Sequence, residues 1–447
     1  MLDLKFVRDN VEKVKEMLHN RNLSDSVGLI DELVQLDDER RSILPEVEQL
    51  RRKRNEESKE IANLKKEGKD TNDLVEELRE VRNKIQQMEE TLSSCEKRIN
   101  DIILIIPNMP HSSVPIGDDP SKNVVVKTWG EIPTFDFEPA PHWEIAEALG
   151  IIEFDRATKL AGGNFVLYKG LGARLERALI NFMLDLHTDI QGYIEISPPF
   201  MANRITMTGS GQLPKFESDM YKCDSGIDAK DDMFLIPTAE VQLASYHAGE
   251  ILDGSLFPLK YTAYTPCFRR EAGTYGRDTR GLVRIHQFDK VEMFKFTKPE
   301  DSYAELESML RDAEEVMQLL KLPYRVSNLC TSDISAASAK TYDIEVWMPG
   351  LNRFQEVSSC SNCVDYQARR SNTRFRREPN KPVEFAHMLN GSGVAMPRTV
   401  IAILENLQQK DGSVIIPEVL RPYMKGVEKI VYYGRIYTSI YKICFRL

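Results

Sequence analysis

Between Thr265 and Phe296 the sequence reads TPCFRREAGTYGRDTRGLVRIHQFDKVEMFKF, a stretch that gathers side chains suited to gripping a charged, planar ligand. Arg269, Arg270 and Glu271 close its first half. In the second half a two-residue alternation puts Arg284, His286, Phe288 and Lys290 on one strand face, and Glu292 extends the row. Guanidinium forks suit phosphate or carboxylate oxygens, an aromatic ring offers a stacking face, and a carboxylate accepts from an amino group. Gly273, Gly276 and Gly281, with Arg277 and Arg280, join the two β-prone ends, so an arginine-bearing hairpin is expected. Spacing alone also fits the solvated face of an ordinary hairpin.

A second segment, LNGSGVAMPRTVIAILEN at 389–406, runs from a strand into a helix whose first turn carries Arg398. Gly391 and Gly393 are expected to let a ligand approach the backbone, unless they simply make a tight bend. Cys360 and Cys363 have the spacing of half a zinc site, but no second such pair or paired histidine follows, so zinc and thiol redox chemistry are set aside. His286 has no evident triad partner, and a structural hydrogen bond is the expected role.

Several elements must hold these residues. Two heptad runs, Leu33 to Leu64 and Leu74 to Ile106, flank the turn-like KKEGKDTN, which predicts an antiparallel α-helical coiled-coil arm over about residues 30–106. Helices of this length reach roughly 50 Å. Pro45 is expected to kink the first helix or mark its start. The segment 51–69 has eight Lys/Arg against four Glu, a local excess in a chain of net charge −10, and suits a phosphate backbone. Four prolines in PNMPHSSVPIGDDPSKN mark a linker. From about residue 165 to 425, helices alternate with short strands without a βαβ repeat, favouring an α+β domain on an antiparallel sheet flanked by helices. Helices are expected through Leu175–Ile190, from Pro299 to Leu320, and from Pro397.

The 447 residues predict two or three domains, and the 42% hydrophobic, 29% charged composition disfavours disorder and disulfide scaffolds. Seven scattered cysteines and a charged N-terminus point to a reducing cytoplasm. No run of apolar residues is long enough for a membrane span, so a soluble protein is expected.

FRRE followed by RIHQF, with the later GxGxxxPR segment, resembles motifs 2 and 3 of class II aminoacyl-tRNA synthetases. The helix from Arg174 ending in GYIEISPPFM, with Pro198, is similar to motif 1, the dimer-interface element. The arm, PTAE at 237–240 and EVSSCSNCVDYQARR at 356–370 narrow the resemblance to the seryl-tRNA synthetases of the common bacterial type, over nearly the whole chain to about Lys429. The expected divisions are an N-terminal tRNA-binding domain at 1–106, a linker and entry to the core at 107–170, a catalytic domain at 171–429 and a tail at 430–447. The tail VYYGRIYTSIYKICFRL departs from the family pattern, as does Pro45.

The resemblance implies a two-step reaction. Serine and ATP form seryl-adenylate and pyrophosphate, and the seryl group then moves to the terminal adenosine of tRNA-Ser, and of tRNA-Sec where present. It implies Arg269 at the α-phosphate, Glu271 at the adenine amino group, Phe288 and Arg398 on either side of the ring, and Arg284 at the terminal phosphates. Arg270, Ile285, Val357 and Ser358 complete the expected ATP contacts. Glu356 and Ser359 are the implied Mg²⁺ ligands, hard oxygens suiting that ion. Thr238, Ala239, Glu240, Arg269, Glu292 and Ser392 are the implied serine-binding residues. Arg51, Arg52, Lys53, Arg54, Lys65 and Lys66 are implied to meet the long variable arm of tRNA-Ser across a homodimer. The basic run from Arg369 to Lys381 either touches the acceptor stem or is a solvated loop. Two other readings compete: a paralogue that passes serine to another acceptor, and a non-catalytic coiled-coil protein with a degenerate synthetase body. The site residues retained together argue against decay, and the basic arm argues against loss of tRNA.

Overall fold

The computed structural model describes residues 1–223, 232–271 and 280–431. Gly273, Gly276 and Arg277 of the expected hairpin loop, and the tail beyond residue 431, lie outside them. The chain divides into two compact units, Met1–Met109 and Pro110–Leu447.

In the first unit, α1 (Gly28–Lys66) and α2 (Asn72–Ile105) form the expected pair. Ile30, Leu33, Val47 and Ile61 of α1 are buried, as are Leu78, Val81, Ile85, Ile99 and Ile102 of α2. Glu32 pairs with Arg98, Glu46 with Lys84 and Lys53 with Glu77, so partners converge on the turn from both sides, as an antiparallel register demands. Pro45 neither starts nor ends α1. It sits on the exposed side, next to the equally exposed Arg41 whose carbonyl loses a donor, and water can satisfy that group.

The second unit is built on an eight-stranded sheet of β1 (Val124–Trp129), β2 (Ile194–Glu195), β3 (Leu259–Phe268), β4 (Gln287–Thr297), β5 (Tyr324–Asn328), β6 (Lys340–Met348), β7 (Arg353–Asn362) and β8 (His387–Ala395). Their order is β1-β5-β6-β7-β8-β4-β3-β2. All pairings are antiparallel except β2 with β3 at the edge, so the sheet is mixed rather than wholly antiparallel. On one face, Val291 and Met293 of β4 join a core completed by α3 (His142–Leu149), α4 (Leu171–Asp185), α5 (Ser302–Leu319) and α6 (Met396–Asn406). The alternate residues Phe294 and Phe296 pack with Ala239, Leu243, Phe375 and Met388 on the other face. The expected linker contributes β1 and α3 to this body. The motif 1-like helix ends at Asp185 and continues as a π-helical turn, Leu186–Ile190. Among the described residues no helix is long and apolar enough to cross a membrane.

Candidate active site

The β3–β4 hairpin and the start of α6 face one cleft. Pairing sets Cys267 opposite Phe288 and Ala263 opposite Glu292, while β8 brings Ser392 to the other side of Glu292. Alternation therefore aligns Phe288, Lys290 and Glu292 on a single face. The row does not extend to Arg284 and His286, because β4 begins only at Gln287. The His286 backbone instead bonds Asn164 and Arg269, and its Nδ1 lies 3.1 Å from the Arg269 carbonyl. Arg284 reaches the cleft from the preceding irregular segment.

Arg269, Glu271, Arg284, Ile285, Phe288, Glu356, Val357, Ser392 and Arg398, drawn from three separated stretches of sequence, line this cleft together with Lys290. The Arg269 guanidinium carbon is 5.1 Å from the Phe288 ring centroid, and its Nε donates to the Pro237 carbonyl at 3.4 Å. Arg284 Nη1 donates to Glu271 Oε2 at 2.9 Å. Glu271 holds φ +50°, a left-handed value that turns the chain out of β3. Arg398 Nη1 bonds both the carbonyl and the carboxylate of Glu356, at 2.9 and 3.0 Å. Burial opposes charge on Glu356, but Arg398 outweighs it and holds the carboxyl below its usual range.

Thr238, Glu240, Glu292 and Ser359 do not line the cleft, but Lys290, which does, has its Nζ 2.5 Å from Glu292 Oε2, and Thr238 Oγ1 donates to the same oxygen at 3.1 Å. The Glu240 amide bonds Thr238 Oγ1, and Glu240 Oε1 accepts from Gln367 Nε2 at 2.6 Å and Asn390 Nδ2 at 3.0 Å. Burial, then repulsion from Glu292, pushes Glu240 up to about 7. Ala239 is fully buried in the packing beneath. Lys290, Asn390 and Gln367 are thus part of the constellation without having been singled out for it. Lys290 stood in the alternating row, but nothing in the local sequence marked the other two.

Glu356 and Ser359 are three apart, which on a regular strand would put them on opposite faces. The register of β7 on β6 skips Val357, so Glu356 and Ser359 share a face with Glu345 and Asp343 opposite them. Asp343 Oδ1 is buried without a hydrogen-bond partner among the described residues. Among the described residues no three acidic, histidine or cysteine side chains are placed to hold a metal, and Arg325 engages Glu345, so Glu356 and Ser359 supply oxygen donors of the kind Mg²⁺ takes but would need phosphate oxygens to complete its shell.

Other candidates lie elsewhere. Arg270 turns to the Ser218 carbonyl, and buried Ser358 donates to the Ser392 carbonyl; neither lines the cleft. Gly391 and Gly393 do not serve ligand approach. A Cβ on Gly391 would meet Met309 of α5 at 2.8 Å and one on Gly393 would meet His187 at 2.5 Å, so both glycines admit the helical layer. Cys363 accepts from Asn390, while Cys360 sits against Gly391. In the basic run, Arg369 pairs with Asp365, Arg377 with Glu300 and Glu384, and Arg370 bonds the Thr208 and Leu213 carbonyls. On the arm, Arg51 and Lys53 are tied to Glu89 and Glu77 of the opposite helix. Residues 51–90 carry eleven Lys/Arg against eleven Asp/Glu, so the excess positive charge is confined to 51–69, the distal part of α1 and the turn. Arg52, Lys65 and Lys66 are exposed and without ion pairs among the described residues, and Arg54 bonds only Asn55.

Comparison with known proteins gives the same picture. Residues 1–110 match the seryl-tRNA synthetase N-terminal domain, and residues 221–407 match the class II tRNA synthetase core domain of the G, H, P, S and T type. The serine–tRNA ligase of Syntrophobacter fumaroxidans is 55% identical over 96% of this chain and 100% of its own. That of Clostridium tetani is 53% identical over the same shares. Among solved structures, the seryl-tRNA synthetase of Pyrococcus horikoshii complexed with ATP superposes with a TM-score of 0.90 at 40% identity, covering 97% of this chain and 100% of that one. The cytoplasmic enzyme of Naegleria fowleri with AMP gives 0.84 at 30%, covering 97% and 99%. Matched by both domain models and by relatives at this identity over nearly their whole length, the chain belongs to the seryl-tRNA synthetases, the class II ligases that join serine to tRNA.

Proposed function

We propose that the cleft activates serine with ATP through the following division of labour. Phe288 and Arg398 flank the adenine and Glu271 accepts from its amino group. Arg269 takes the α-phosphate with its planar fork. Arg284 exchanges its Glu271 partner for the terminal phosphates. Thr238 and Glu240 receive the serine ammonium. Lys290 and Thr238 both engage Oε2 of Glu292, which leaves Oε1 for the serine hydroxyl, while Ser392 borders the same end. An amino acid without that hydroxyl leaves a buried acceptor unpaired, at a cost of about 1–3 kcal/mol.

Attack of the serine carboxylate on the α-phosphorus brings two anions together. The fixed cations Arg269 and Lys290 offset that repulsion and the charge that develops on the phosphoryl oxygens. Glu356 and Ser359, with Asp343 beside them, would hold Mg²⁺, which neutralises phosphate charge when bound. The second step passes the seryl group to tRNA-Ser, with tRNA-Sec an additional acceptor in cells that contain it. Arg52, Arg54, Lys65 and Lys66 meet the tRNA backbone. The active species is a cytoplasmic homodimer.

The observation that carries this reading is the convergence of Arg269, Phe288, Glu356 and Arg398 on one cleft. Pyrophosphate exchange across a panel of amino acids, followed by charging of total tRNA, tests it. Exchange with serine and charging of tRNA-Ser are expected. Exchange with serine but no charging of tRNA would favour transfer to another acceptor.

A further inference from the structure

His142 and Trp143, the first two residues of α3, belong to none of the motifs above, yet they meet the segment that leads from the hairpin loop into β4. His142 is fully buried. Its Nδ1 lies 2.8 Å from Glu405 Oε1 on α6, and its Nε2 lies 3.1 Å from the Leu282 amide nitrogen. That amide is a donor, so Nε2 must present its lone pair and the ring proton must sit on Nδ1, donated to Glu405. Glu405, itself fully buried, is fixed by the amides of His142 and Gly350, each at 2.9 Å. The contact with the loop segment is close. Gly281 has φ +76°, and a Cβ there would stand 2.1 Å from Nε2. One residue earlier, the Arg280 guanidinium lies 4.9 Å from the Trp143 ring centroid. The residues that follow, Leu282 to Ile285, form a wall of the cleft.

We propose that His142 is a positioning residue for the nucleotide. Its Nε2 tethers the Leu282 amide and so fixes the wall that carries Arg284, with the Arg280–Trp143 stack as a second hold. Segment 280–285 precedes the backbone bonds of the hairpin, which begin at His286, and has no strand ladder to fix it, so a side chain from α3 supplies the order instead. A wall ordered in advance lowers the entropy cost of binding ATP. The link to ATP rests on the reading of the cleft given above, whereas the tether itself does not.

Two substitutions separate the roles of the ring nitrogens. His142→Asn places an amide nitrogen near the Nδ1 position, keeping the Glu405 bond and deleting the acceptor. His142→Gln places a carbonyl oxygen near the Nε2 position and keeps the acceptor. Amide hydrogen exchange over residues 280–286, the KM values for ATP and serine in pyrophosphate exchange, and the thermal midpoint are measured for both. His142→Asn is expected to speed exchange at Leu282 and to raise the ATP KM about tenfold with the serine KM unchanged, while His142→Gln stays close to the parent. Unchanged exchange at Leu282 in His142→Asn, or equal impairment of both variants, overturns the tether. Faster exchange at Leu282 with an unaltered ATP KM leaves the tether standing and overturns its link to the nucleotide. A uniform rise in exchange over the whole body, with both KM values raised, would mean that His142 only stabilises the fold and would overturn the proposal.

Discussion

Lys290 Nζ and Glu292 Oε2 lie 2.5 Å apart with both side chains almost wholly buried. A charge pair so enclosed costs a great deal to halve. Lys290→Met leaves Glu292 uncompensated beside Glu240, and a loss of about 3–5 kcal/mol in unfolding free energy is expected. Urea unfolding checks it. The double variant Lys290→Met/Glu292→Leu should recover most of that stability while remaining inactive in exchange; no recovery would show that the pair does not act as a unit.

Glu240 carries a second consequence. Burial and the nearby Glu292 raise its carboxyl from 4.5 to about 7. A raised carboxyl favours the neutral form in the fold, so its contribution to stability is full below about pH 4.5 and is lost as pH rises through about 7. The serine ammonium prefers the ionised form. The serine KM should therefore fall between pH 6 and 8, with about one proton released, and Glu240→Gln should flatten that profile. A KM profile as steep in the variant as in the parent would remove Glu240 from the ammonium site.

Behind the same strand, Asp289 faces Glu176 of α4, and Tyr264 donates to Asp289 at 3.0 Å. Burial, then the Asp289 charge, pushes Glu176 up to about 8, so the two carboxyls share a proton at neutral pH. The stability this pair provides is present at low pH and disappears as pH rises through about 8. Thermal midpoints of Glu176→Gln should fall less steeply than those of the parent from pH 7 to 9. Parallel curves would contradict proton sharing.

The heptads made the arm legible from sequence, because one apolar stripe per helix has only one way to be buried. The local excess of charge was legible too, but its neutralisation by α2 was not, since cross-helix pairing depends on register. In the body, Phe288, Lys290 and Glu292 followed from alternation, whereas the start of β4 did not. The backbone partners of His286 are Asn164 and Arg269, and Arg284 is held by Glu271; none of them adjoins its partner in sequence. Gly391 and Gly393 were misread for the same reason: what fills the space beside a glycine belongs to another element. His142 carried no signal, because a buried histidine acquires a role only from what the fold sets against it.

Arg52, Arg54, Lys65 and Lys66 supply the tRNA contact in this account. Reversing all four to Glu should raise the tRNA KM more than about tenfold and reduce the steepness of its salt dependence by about three to four units of log–log slope. Serine-dependent pyrophosphate exchange should be unaffected. A loss of exchange would mean that arm and cleft do not divide the work.

The central claim is that the cleft's fixed cations and aromatic faces grip the nucleotide for attack by serine. Serine-dependent ATP–pyrophosphate exchange of Arg269→Ala, with the fold checked by circular dichroism, tests it most directly. The account predicts exchange reduced by at least about 10³-fold in a folded protein, because no neighbouring group can replace the guanidinium fork at the α-phosphate. Exchange within a few fold of the parent would contradict it.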